Sequence, residues 1–325
     1  MAKRAKKKTT TKAAESTPKP DAAAPPKSKS KPKTKKPPLP PWPEFARNAT
    51  ETEITGRITV ELSKTLQDAQ KTFPNTCFVL LLDTGTSISN YELDRIYQTL
   101  TKENADKTKN VTLIIQSPGG GIEPAYQISK VCKLFAKDTF RVIVPRYAKS
   151  AATLISLGAD EIHMGPLSHL GPIDPQIGGL PALGVARALS TIAELSEKHP
   201  GSAEMFSKYL NQALTVEQIG YCDRISESAE QYAERLLSTK ANLPRKASII
   251  AKELVHEYKD HGFVIDVAEA QQHLGTDWVI SDGDWVKFGE SVYEYYDMVS
   301  LFIRLACRKK LLIAGDPHTT VLIGN

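Results

Sequence analysis

The chain has 325 residues, of which 41% are hydrophobic and 24% charged, with a net charge of +5. That length and apolar content allow a sizeable buried core plus an appendage, and they exclude a chain too polar to fold. Its four cysteines, Cys77, Cys132, Cys222 and Cys307, are widely spaced with no CxxC pair, so neither a zinc site nor a disulfide framework follows.

The charge is unevenly placed. Residues 1–40 hold thirteen Lys or Arg and two acids, so this stretch carries +11 and the remainder, at −6, is mildly acidic. Residues 1–45 are therefore expected to be a disordered Lys/Pro-rich tail, because such a segment cannot bury enough apolar area to offset its chain entropy. Its charge suits nucleic acid or an acidic membrane surface. A solvated tail without a fixed partner explains it equally well, and no aromatics are interleaved with its basic residues. No apolar run approaches the roughly 18 residues of a spanning helix. The basic start has no apolar region behind it, so neither a transmembrane segment nor a secretory signal is expected, and the expected location is the cytoplasm.

The folded domain is expected over 46–325. Ile54–Leu62 reads as an early strand, and the continuous apolar run Cys77–Asp83 as a strand buried on both faces. A helix over Ser89–Thr101, a second buried strand Val111–Ile115, a helix Glu123–Phe135, a strand Arg141–Val144, a helix Ser150–Leu157 and a short strand Glu161–Met164 follow. Strands alternating with helices imply crossover units and a mainly parallel α/β sheet. The second half reads as mostly helical, over Leu180–Lys198, Ala203–Leu214, a stretch capped at Thr215 that runs to Leu237, and Lys246–Tyr258. A short strand and a helix around Val267–Leu274 come next, and the end, Val292–Leu312, is apolar and basic.

Two turns carry chemistry. Ser117-Pro-Gly-Gly-Gly121 lies between a buried strand and a helix, where glycines let the backbone approach a ligand and present N–H donors to a developing oxyanion. Tyr147-Ala-Lys-Ser-Ala-Ala-Thr153 repeats the strand-to-helix setting with Ser150 at the helix start, small residues beside it and the Ala151 amide as a second donor. Taken singly, a glycine-rich turn is only a turn or a phosphate cradle, and a serine at a helix start is an N-cap. Together, one crossover apart, they place both helix starts at the carboxyl ends of neighbouring strands, where open α/β sheets bind ligands.

These blocks, with Gly165-Pro-Leu-Ser-His-Leu-Gly-Pro-Ile-Asp-Pro-Gln176, resemble the serine dehydrogenase proteinase family, which is related to signal peptide peptidase A and more distantly to the Clp proteolytic subunit. The resemblance is strongest over 77–180 and continues to about 290. It implies a ClpP/crotonase-like fold of repeated β-β-α units with a helical C-terminal part. It also implies a homo-oligomer acting on a peptide or protein substrate, Ser150 as nucleophile, the Gly120 and Ala151 amides as oxyanion hole, and no cofactor or metal. The Clp pattern laid on this chain puts its histidine near Ile173 rather than on His169, which argues against a Ser-His-Asp triad in this chain. The signal-peptidase pattern offers Lys208 as the base of a Ser-Lys dyad, though a surface lysine on an amphipathic helix is the competing reading. Lys149 reads as a substrate or structural cation, His163 and His169 as structural, and Asp174 as either orienting the cleft loop or making a turn with Pro175. The expected activity is a serine peptidase working through an acyl-enzyme. The rivals are a crotonase-like thioester hydrolase and an inactive oligomeric adaptor.

Overall fold

The computed structural model describes residues 39–324 apart from positions 84, 178, 179 and 214. Residues 1–38, and with them the expectation of a disordered tail, lie outside the described residues. The chain divides into Met1–Leu39 and a compact unit Pro40–Asn325. Helix formation starts at α1 (Trp42–Asn48), inside the stretch expected to be tail. Trp42 finds a buried seat there: its indole donates to Glu61 at 3.0 Å and the Arg57 guanidinium lies 4.4 Å over its ring.

The strand expected over Ile54–Leu62 is instead part of a helix, α2 (Glu51–Ala69). Thr50 and Glu53 close a capping box at its start. Ile54, Ile58 and Leu62, four residues apart, stack on one helical face and are fully buried. Their spacing outweighs the strand propensity of the β-branched residues, which is a weak local preference.

Strands and helices then alternate as β1 (Thr76–Asp83), α3 (Asn90–Glu103), β2 (Asn110–Gln116), α4 (Ile122–Phe135), β3 (Phe140–Val144), β4 (Tyr147–Ala148), α5 (Ala151–Leu157) and β5 (Glu161–Met164). Three two-residue strands follow, β6 (His169–Leu170), β7 (Gln176–Ile177) and β8 (Leu180–Pro181). The helical part comprises α6 (Ala182–Lys198), α7 (Ala203–Ala213), α8 (Val216–Leu237), α9 (Ala247–His256) and α10 (Val267–Leu274). The chain closes with β9 (Val279–Ile280), α11 (Asp284–Cys307), β10 (Lys309–Gly315) and β11 (Thr320–Gly324).

Seven strands form the central sheet in the order β11-β10-β1-β2-β3-β5-β9. From β1 to β9 neighbours run parallel, and β10 is antiparallel to both β1 and β11. This is a mainly parallel α/β fold with a largely helical second half. The apolar, basic end supplies most of the long α11 and the start of β10, an antiparallel strand held between β1 and β11.

Both faces of the sheet are covered, which is why β1 is buried at every position. Leu80 and Leu82 pack with Ile58 and Leu62 of α2 and with Val292 and Val299 of α11. Val79 and Leu81, pointing the other way, join Ile96, Ile128 and Leu154 of α3, α4 and α5. Because β1, β2 and β3 are parallel, the loops leaving their carboxyl ends gather at one edge.

Helix and strand differ in which residues share a face, so α2 can be tested directly. Ile58→Ala is expected to cost about 2–5 kcal/mol in urea unfolding. Val60→Ala, two residues on and exposed, is expected to cost no more than about 0.5 kcal/mol. Equal costs would return this segment to a strand.

Candidate active site

The edge loops are joined by a short second layer of backbone pairing. Beyond β2, the Ser117 amide donates to Tyr147 O (3.2 Å) and Ser117 O accepts from the Lys149 amide (3.1 Å). The β4 strand pairs in parallel with β6. Leu170 then exchanges both backbone hydrogen bonds with Ile265, at 2.9 and 3.1 Å. The Thr153 hydroxyl, buried, sits 2.6 Å from Ala148 O and 2.8 Å from Gly171 O and accepts from the Gly171 amide, fastening α5 to this layer.

Ser150 stands at the sharp corner between β4 and α5, with φ 51° and ψ −119°. A non-glycine residue held there is strained by about 1–3 kcal/mol. At this corner the hydroxyl makes no cap hydrogen bond to the helix. The N-cap reading of this serine therefore lacks its defining bond. Gly119 packs directly against it: a Cβ at Gly119, where φ is 109°, would lie 2.7 Å from Lys149 O and 2.8 Å from Ser150 Cβ. Gly120, at φ 152°, lies as close to the backbone of Ile88, which bonds to Gly119 O and Gly121 N. The Gly119 amide is taken by Ser117 Oγ. Among the described hydrogen bonds, those of Gly120 and Ala151 have no protein acceptor, as an oxyanion hole requires.

A cleft of about 390 Å3 opens over these residues, lined by Gly120, Ser150 and Ala151 on one side and by Ile173, Ile225 and His261 on the other. His261 is the residue that sequence reasoning did not single out. Its Nδ1 lies 2.7 Å from Oδ1 of Asp174, which is buried and also accepts from Gln176 Nε2 at 2.9 Å. A buried carboxylate bonded at Nδ1 places the ring proton there and leaves Nε2 as the acceptor. No local pattern marks His261. It reaches the cleft because the Leu170–Ile265 pairing draws its loop across Asp174, 87 residues earlier.

The structure brings Ser150, Gly120 and Ala151 into the lining of one cleft, sets Asp174 behind that lining on His261, and leaves the other candidates outside it. Lys208 lies on α7 with its side chain 75% exposed, 2.8 Å from Glu204. Burial or neighbouring cations turn a lysine into a base, whereas the surroundings of Lys208 are solvent and a carboxylate. Lys149 lies over Gly171 and the Tyr147 ring. His169 packs against Tyr147, and burial, then the Lys149 charge, push it below the usual histidine range. Asp83 is buried and caps its own turn, accepting from the Gly85 and Thr86 amides. His163 is buried on β5, 3.1 Å from Glu161. That hydrogen bond, with the Arg141 guanidinium 2.6 Å away, outweighs burial and holds the Glu161 carboxyl down to about 2.

Residues 91–279 match the model of a family described as ClpP-like SDH-type serine proteinase. Two uncharacterized proteins of Methanocaldococcus jannaschii are similar in sequence. MJ0137 is 35% identical over 173 residues, 53% of this chain and 54% of that protein. MJ1495 is 31% identical over 162 residues, 50% of each. The chain thus spans about half the length of these relatives. Among solved structures, a mutant of the 1510-N membrane-bound stomatin-specific protease in complex with a substrate peptide is 17% identical, with a TM-score of 0.41 over 64% of this chain and 74% of that one. ClpP1 from Listeria monocytogenes is 17% identical, with a TM-score of 0.41 over 69% of this chain and 99% of that one.

Two outcomes follow from this geometry. Gly119→Ala is expected to slow labelling of Ser150 by a serine-directed fluorophosphonate by about 10²-fold, since the added methyl displaces the serine corner. A wild-type labelling rate would contradict the contact. The second concerns Glu161, whose ordinary value of 4.5 falls to about 2 in the fold. The folded chain binds fewer protons than the unfolded one across that window, so this stabilisation is full above about pH 4.5 and is lost as pH falls towards 2. Urea titrations across the window should show a shallower acid loss in Glu161→Gln than in the wild type.

Proposed function

Because the chain belongs to the ClpP-like SDH-type serine proteinase family, we propose that it is a serine peptidase whose nucleophile, Ser150, is activated by His261 and Asp174. The observation that carries this reading is the His261–Asp174 hydrogen bond facing the same cleft as a serine whose hydroxyl is not spent on capping.

Ser150 Oγ gives its proton to His261 Nε2 as it attacks the peptide carbonyl carbon. The Gly120 and Ala151 amides hold the oxyanion of the tetrahedral intermediate. Asp174, hydrogen-bonded at Nδ1, keeps the imidazole in the required tautomer and steadies its positive charge. The intermediate collapses, the C–N bond breaks, and His261 passes its proton to the leaving amine. Water then enters, gives a proton to His261 and attacks the ester carbonyl; as the ester C–O bond breaks, His261 returns that proton to Ser150 Oγ, releasing the acid and the free serine.

Intact-mass labelling with a fluorophosphonate tests the assignment. One adduct is expected on the wild type and on Lys208→Ala, none on Ser150→Ala, and labelling slowed by about 10³–10⁴-fold in His261→Ala and Asp174→Asn. Labelling kept by His261→Ala but lost in Lys208→Ala would install the Ser-Lys dyad instead. No adduct on the wild type would overturn the enzyme and favour the adaptor. Turnover of an acyl-CoA, with none of peptides, would favour the thioester hydrolase.

A further inference from the structure

The cleft has one feature that peptide-bond chemistry does not use. Its walls are apolar around Ile122, Ile173, Ile225 and Tyr221, and among its lining residues the single carboxylate is Glu123, with no Lys or Arg beside it. Glu123 lies in the first turn of α4, three positions after the oxyanion glycine Gly120, so it stands close to where a scissile carbonyl would sit. It is exposed to the cleft, and among the described residues no ion pair or hydrogen bond engages its side chain. Arg224 of α8 lies alongside Gly220 and is not part of the lining.

We propose that Glu123 is a specificity residue that selects peptides carrying a lysine or arginine within about two residues of the cleaved bond; this rests on the peptidase reading of the same cleft. Long basic side chains have an apolar stem and a charged tip. The isoleucine walls take the stem, and the Glu123 carboxylate takes the tip as a charge-assisted hydrogen bond. An acidic side chain at the same place meets like charge with no compensating cation. A carboxylate in the first helical turn also favours the helix through its dipole. That role is indifferent to the substrate, so selectivity separates the two.

The test is a digest of a mixed peptide library by the full-length protein, with cut sites read by mass spectrometry. Lysine and arginine should be enriched about tenfold at one position within two residues of the cut, the preference being set by one partly exposed charge pair. In Glu123→Gln that enrichment should fall to background, and in Glu123→Lys it should give way to aspartate and glutamate. Raising the ionic strength should shrink the wild-type enrichment, since the carboxylate is solvent-facing. Cleavage with no charge preference, or a preference that survives Glu123→Gln, would overturn the proposal and leave the peptidase standing.

Binding separates the two readings where no cutting occurs. On Ser150→Ala, an acetylated Ala/Leu hexapeptide with one lysine should bind about tenfold tighter than its norleucine counterpart. That gap should close in Ser150→Ala/Glu123→Gln. Equal binding of the two peptides to Ser150→Ala would reject Glu123 as the selector whatever the catalytic outcome.

Discussion

The two backbone hydrogen bonds at Ser117 are the constraint on which the cleft depends. Adjacent parallel strands hold their backbones about 4.8 Å apart, and in most α/β folds the chains diverge once the strands end. Here β2 keeps pairing with β4 past the end of the main sheet. The glycine loop and the serine corner are thereby pressed so closely together that position 119 has no room for a side chain. The same ladder continues through β6 to Ile265 and so sets down Asp174 and His261. Every step from Ser117 to Ile265 is a main-chain contact, which tolerates side-chain variation around it but no change of register.

That ladder also explains how a strained serine persists. A relaxed residue at the start of α5 would turn its hydroxyl onto the helix amides and cap them. Holding Ser150 at φ 51° costs energy and gives up the cap. The opposing interactions are buried ones: the Thr153 hydroxyl between two carbonyls, and the Lys149 amide on Ser117 O. Each contributes about 1 kcal/mol, and breaking one leaves a buried polar group unpaired, which costs more. The strain is thus distributed over contacts that solvent cannot replace.

Much of this was legible in the sequence because it is local. The continuous apolar runs that became β1, β2 and β3 admit little else between turn signals, and the capping pair at Thr215 and Gln218 marks the start of α8 directly. The glycine and serine turns were readable as a pair because strand-to-helix order fixes where their ends lie. Ile54–Leu62 carries conflicting local signals: its β-branched residues favour a strand, whereas a spacing of four gathers Ile54, Ile58 and Leu62 on one helical face, and packing decides for the helix. His261 gave no signal, since its role depends on a contact 87 residues away made by backbone pairing rather than by any motif. Lys208 illustrates the converse: its sequence neighbours match a family stretch, but exposure is decided by tertiary packing, and α7 leaves it in solvent.

The division of labour across the cleft has a consequence for how this site can vary. The proposed nucleophile and the two proposed oxyanion amides come from turns of the parallel sheet, where glycine dihedrals and the Ser150 corner admit almost no substitution. The proposed base and much of the facing wall come from the helical second half, through the loop between α9 and α10 and through Tyr221 and Ile225 of α8. In the proposed mechanism, charge stabilisation is therefore built into the turns of the sheet, while proton transfer and substrate contact depend on how the second half is seated. Near Asp174 the Leu170–Ile265 pair and the Ile173 amide bonded to Leu254 O tie the two together by main chain. Substitutions on α8 can change what binds without touching the oxyanion loops. A loosening of the Leu170–Ile265 pair, by contrast, would move the proposed base away and leave Ser150 in its corner without a proton acceptor.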